Sequence, residues 1–176
     1  MTMLTLHPHP SNPSAAIQDV AVSVRRRADR LALSFRPQGD PSAIVWPAEQ
    51  PGGFSDGLWR HTCFEAFITT RGVAGYVELN LAPSGRWAAY RFSDYRAGMA
   101  RGVSAPGPIC AAAWPPTLIA GVRLADVPSG ADWWLNLAAV IELAGGDRAY
   151  FALAHAEGNP DFHHPDCFRL HLPAGA

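Results

Sequence analysis

Residues 63–92 read CFEAFITTRGVAGYVELNLAPSGRWAAYRF, and this stretch decides the fold. Three runs within it, Cys63 to Thr70, Gly75 to Leu81 and Arg86 to Phe92, are rich in aromatic and branched residues. They are parted by Arg71 to Ala74 and by Pro83-Ser84-Gly85, spacings that suit consecutive hairpins of a meander. Tyr76, Glu78 and Asn80 alternate with Val77, Leu79 and Leu81, so the middle strand has an apolar face and a polar-aromatic one. Likewise, if Phe64, Ala66 and Ile68 face the core, then Cys63, Glu65 and Phe67 point the other way. Trp87 and Tyr90 are an odd step apart and lie on opposite faces.

Period-two alternation continues on either side. Val20, Val22 and Val24 alternate with Ala21, Ser23 and Arg25, and after a turn near Ala28-Asp29 so do Leu31, Leu33 and Phe35, which together predict a hairpin. Ile109 to Trp114, Thr117 to Leu124, Trp133 to Leu143, Tyr150 to Ala154 and Phe168 to Leu172 predict further strands. Roughly ten strands and no helix predict an all-β, antiparallel β-sandwich in one domain, residues 1–176. Residues 1–16 are expected to be irregular, because Pro8, Pro10 and Pro13 would break a helix. Ser93 to Pro108 has no period and several Gly and Pro residues, the mark of a long surface excursion.

Composition narrows the function. The chain has 176 residues, 48% of them hydrophobic, and a net charge of −1 with every basic residue an arginine. That balance offers no basic excess for nucleic acid. No apolar run approaches the roughly 18 residues that cross a bilayer, so no membrane partner is expected. The start has neither a basic nor an apolar leader segment, and Cys63, Cys110 and Cys167 lack C-x-x-C spacing. Both readings fit a cytoplasmic protein with reduced thiols. G-x-S-x-G, H-E-x-x-H, P-loop and G-x-G-x-x-G signatures are missing from the sequence.

Three clusters carry the candidate chemistry. Around Leu58 to Phe67, Glu65 either accepts from a ligand or pairs with Arg60 or Arg91 across the sheet. On Tyr76 to Phe92 the polar face is available for recognition. The loop His155 to Asp166 concentrates Glu157, Asp161, His163, His164 and Asp166, residue types that bind zinc, copper or nickel, though in no specific metal spacing. His163 and His164 diverge if extended, so a metal would also need a distant partner such as His61.

LWRHTCFEAF (58–67), YVELNLAPSGRWAAYRF (76–92) and NPDFHHPDCF (159–168), taken in order, resemble the DOMON-like proteins related to the family 9 carbohydrate-binding modules. Trp59, Glu65, Asn80 and Gly85 stand where that pattern has its tryptophan, strand acid, asparagine and turn glycine. The resemblance runs from about Ala43 onward. It implies a β-sandwich that binds sugars against aromatic rings or, in the cytochrome branch, holds haem through Met and His. Here Met99 with His155 or His163 would be that pair.

The leading expectation is a non-catalytic module for a saccharide or a related small polar ligand. Trp59 or Tyr90 would supply the apolar platform, and Arg60, His61, Glu65, Arg91, Asp161, His163 and His164 the hydrogen bonds. The competing expectation is a haem- or metal-binding redox or enzymatic protein that uses the His163-His164 loop with His61, Met99 or His155. A third is an interaction domain that pairs through exposed sheet edges.

Overall fold

The computed structural model describes residues 1–174 and contains fourteen strands and three short 3-10 turns, with no α-helix among the described residues. The strands are β1 (Thr2–Pro8), β2 (Ile17–Arg27), β3 (Arg30–Gly39), β4 (Gly53–Phe54), β5 (Cys63–Thr70), β6 (Tyr76–Leu81) and β7 (Arg86–Phe92). They continue with β8 (Ala100–Arg101), β9 (Ala105–Pro106), β10 (Cys110–Ala113), β11 (Pro116–Arg123), β12 (Trp133–Glu142), β13 (Arg148–Ala152) and β14 (Leu170–Leu172). All join one sheet in the order β10-β11-β3-β2-β1-β13-β12-β5-β6-β7-β4, with β14 on β12, β8 on β7 and β9 on β11.

That sheet curls so that its two halves face each other. Phe35 on β3 and Phe64 on β5 are far apart in the strand order, yet their rings lie 5.0 Å apart. Between the halves, Val20, Val22, Val24, Leu31 and Leu33 meet Ala66, Ile68, Leu79, Leu81 and Leu137 in one buried core. The alternation that predicts β2, β3, β5 and β6 is the cause: each strand commits every second side chain to this space.

Three features differ from the sequence-based expectation. The sheet is all-β but mixed, because β4 runs parallel to β7. With only two residues, β4 is too short to show alternation, and its direction is set by the loop that delivers it. Residues 1–16 are not wholly irregular: Thr2–Leu6 pair with β2, and His7 and Pro8 pair with β13, so β1 joins the two halves. Proline bars a helix interior but is tolerated at the end of a strand, where Leu6 still reaches the core. Finally, the excursion after β7 holds the two-residue strands β8 and β9. The isolated segments cannot show these pairings, which form only when β7 and β11 offer free edges.

No helix among the described residues is long and apolar enough to cross a membrane.

Arg26 takes the next core-facing place after Val20, Val22 and Val24 on β2, and is only 2% exposed. Its guanidinium lies 3.6 Å from the centre of the Trp133 ring. It donates to the carbonyls of Ser129 (2.6 Å), Leu172 (2.9 Å) and Pro173 (3.1 Å), tying β2 to the loop before β12 and to the end of the chain. Arg26→Met keeps the aliphatic stem but strands those carbonyls. It should lower the free energy of unfolding by on the order of 3 kcal/mol, read from urea denaturation.

Candidate functional site

β5 and β6 are buried on both faces. One face of β6, with Val77, Leu79 and Leu81, belongs to the main core. The other carries Tyr76, Glu78 and Asn80 and lies under a second layer made by the loops before β5, after β7 and after β13. A separate apolar cluster fills part of that layer: Phe67, Tyr76, Tyr90, Phe92, Val140 and Phe162. The remaining space is a cavity of about 550 Å³.

The sheet supplies the floor and the loops supply the walls. Glu65 from β5, Glu78 from β6, Tyr90 and Phe92 from β7, Val140 from β12 and Arg148 and Tyr150 from β13 line the bottom and one side. Trp59 and Arg60, on the 3-10 turn Leu58–Arg60, form one wall; Arg96 and Met99 form another; Pro160, Phe162 and His163 close the third.

Asp161 holds two of those walls together. It accepts from Arg96 Nη2 at 2.8 Å and Nε at 3.3 Å, from the Tyr95 hydroxyl and from the backbone N–H of His163 at 3.1 Å. Arg96 sits in a left-handed backbone conformation (φ +51), in a turn whose close is made by Gly98 at φ +62. A Cβ on Gly98 would lie 2.0 Å from Ser93 Oγ, so the turn requires glycine there.

His163 is enclosed by Phe67, Tyr76 and Phe92, with ring centroids 4.9, 5.7 and 5.3 Å away. The Tyr76 hydroxyl accepts from the Arg96 backbone N–H at 3.3 Å and is hydrogen-bonded to His163 Nδ1 at 2.7 Å. The other ring nitrogen, Nε2, faces Glu78 Oε2 at 3.9 Å. Burial, helped by the Arg96 charge, pushes the pKa of His163 down to about 4, so the ring is neutral.

The two floor carboxyls are shifted the opposite way. Burial raises Glu78 to about 7, although Asn80 Nδ2 donates to its Oε1 at 2.6 Å and Arg96 favours its anion. Glu65 is pushed well above the carboxylate range, first by burial and then by the Glu78 charge. Its Oε1 is buried with no hydrogen-bond partner. Tyr90, raised by burial, donates to Asp56 Oδ1 at 2.6 Å and meets the Trp59 ring edge to face at 6.2 Å. Burial thus holds both floor carboxyls above the ordinary carboxylate range, beside a neutral His163.

Of the residues expected at a ligand site, the structure brings Trp59, Arg60, Glu65, Tyr90 and His163 to one cavity, and places Asp161 behind its wall. His61, Arg91 and His164 are placed elsewhere. His61 bonds Glu142 at 2.7 Å on the surface, and Arg91 pairs with Asp126 at 3.5 Å. His164 accepts from the Asp166 N–H at 3.3 Å and caps a 3-10 turn. For Arg91 strand parity is the reason: its neighbours Tyr90 and Phe92 both face the cavity, so it faces away. His163 lies in a turn and His164 caps the 3-10 turn that follows, so the two rings part. Glu65 pairs with neither Arg60 nor Arg91.

Met99 reaches the cavity that holds His163, whereas His155 bonds the His7 carbonyl at 2.9 Å outside it. Among the described residues no three His, Cys, Asp or Glu side chains gather in a metal-binding group. Cys63 and Cys167 are buried and Cys110 exposed, all three free. Sequence reading left out Arg96, Arg148, Tyr150 and Phe162. Glu78 could have been found from its place beside Glu65 on the polar face, but the others arrive on loops and strand ends whose approach no local pattern encodes.

The sequence matches no protein-family model and has no significant match among curated proteins. In fold, the chain is similar to the crystal structure of a Bacteroides uniformis protein provisionally named as carbohydrate-binding. The TM-score is 0.66 and the sequence identity 13%, over 96% of this chain and 84% of that one.

The floor groups make stability depend on pH. Glu78 binds its proton more tightly folded than unfolded, so its contribution is whole below about pH 4 and is lost as pH rises through about 7. His163 does the reverse: its contribution is present above about pH 6.5 and is lost as pH falls through about 4. Glu78→Gln removes the first dependence and keeps the second. Between pH 5 and 8 the variant should gain about 2–3 kcal/mol relative to the parent, measured by urea midpoints across pH.

Proposed function

We propose that this chain is a non-catalytic carbohydrate-binding module whose ligand enters the cavity above β5, β6 and β7. The observation that carries this reading is the pairing of an exposed aromatic platform with a buried polar floor. Trp59 is 40% exposed beside Tyr90 at the cavity, while Glu65 and Glu78 lie beneath at 3% and 6%. A pyranose matches both halves of such a site. Its C–H face packs on an aromatic ring, and its hydroxyls, each a donor and an acceptor, meet carboxyl, imidazole and guanidinium groups.

Fold likeness to the Bacteroides uniformis protein supports the reading. So does the place of the four residues behind the resemblance to DOMON-like proteins and family 9 modules. Trp59 and Glu65 line the cavity, Asn80 orients Glu78, and Gly85 (φ +88) turns β6 into β7. The three guanidiniums of Arg60, Arg96 and Arg148 would donate to ring and hydroxyl oxygens at the mouth.

A thermal-shift and calorimetric screen against mono- and oligosaccharides tests the proposal. A true ligand at a hundredfold excess over Kd adds about 2.7 kcal/mol to apparent stability. Trp59→Ala should weaken that ligand about 10- to 100-fold while leaving the melting temperature of the free protein within a few degrees, because the indole is half out of the fold. Silence against every sugar class would refute the module reading.

A further inference from the structure

The two floor carboxyls are more than a neutral sugar needs. Glu65 faces Asn80 across the β5–β6 pair and Glu78 faces Phe67, so the acids hold diagonal positions on one face. Among the described residues neither has an arginine within ion-pairing distance; Arg96 acts on Glu78 only through its longer-range charge, and His163, 3.9 Å away, is neutral. Glu65 Oε1 has no partner at all. Two buried carboxyls without a counterion cost stability as anions, so they retain protons until a cation arrives.

The walls suit such a cation. Aromatic rings present a negative face, and Trp59, Tyr90, Tyr150 and Phe162 line the same space as the two acids. Rings beside carboxylates form the environment that holds an organic ammonium, through charge-assisted N–H bonds and ring contact together. Of the three arginines here, Arg96 is engaged by Asp161, while Arg60 and Arg148 are exposed at the mouth, where water screens them.

We infer that the ligand is an amine-bearing sugar whose ammonium is taken up on the cavity floor by Glu65 and Glu78. This rests on the saccharide reading and narrows it to a chemical class. On binding, a floor carboxyl releases its proton to solvent and the ammonium replaces it; no covalent bond changes. The other titratable and charged groups around the pair keep their states. His163 stays neutral, Cys63, Tyr76 and Tyr90 stay protonated, and Asp161 stays ionised against Arg96.

Isothermal titration at pH 6 tests this, with glucosamine, galactosamine, mannosamine and short chitosan oligosaccharides, each beside its N-acetyl and parent hydroxyl form. Two buffers of different ionisation enthalpy report proton release. At least one amine should bind about tenfold or more tighter than both counterparts and release protons. In Glu65→Gln and Glu78→Gln, each first shown to be folded by its melting curve, that preference should shrink to about threefold or less. Proton release by the unaltered protein needs no variant and stands as a separate check. Equal binding of amine and parent sugars without proton release would overturn the ammonium assignment and leave the saccharide reading intact. No binding by any sugar in the panel would overturn both.

Discussion

Keeping the Glu65 and Glu78 carboxyls out of water is the constraint around which this molecule is arranged. They are on the central strands β5 and β6, on the face turned away from the main core, where a two-sided sheet would ordinarily meet solvent. Here that face is roofed. Phe162 packs against Phe67 on that face, and the loops that bring Arg96 and His163 close around what remains. The cost of burying acids without counterions falls on the folded state and is offset in part by Asn80, which donates to Glu78; the same burial, with the Arg96 charge, drives His163 to its neutral form.

Asp161 makes the roof a rigid part of the fold. By accepting from Arg96, Tyr95 and the His163 backbone together, it joins the turn after β7 to the loop after β13. The strained turn at Arg96 and Gly98 persists because that anchor and Tyr76 both hold it. A preformed cavity follows, and a ligand entering it has little ordering to do. The layer of aromatic rings lowers the local dielectric, so each polar contact made on the floor counts for more than it would at the surface.

Much of this was legible along the chain. The three strands between Cys63 and Phe92 stand within a residue of where alternation sets them, and parity alone puts Glu65 with Glu78 and separates Trp87 from Tyr90. Where the reading failed, it treated neighbours in sequence as neighbours in space. Arg91 was grouped with Tyr90, although adjacent residues on a strand face opposite ways; His163 and His164 are expected to diverge if extended, and the structure parts them at a turn, with His164 capping a 3-10 turn. The strand at Thr2–Pro8 was missed because prolines were weighed against a helix and not against a strand that ends at one.

The sequence by itself determined that the chain is all-β, which side chains of β2, β3, β5 and β6 enter the core, and that one face of β6 is polar. Period-two alternation is a local property, so a single segment carries it in full. Only the tertiary structure decided that the sheet is mixed and curls through β1, that Arg96 and His163 close over the polar face, and that its carboxyls are thereby raised above the ordinary carboxylate range. Those outcomes depend on contacts between residues far apart in the chain, on the direction in which short strands meet free edges, and on how much water the loops exclude. No pattern within one segment can encode them.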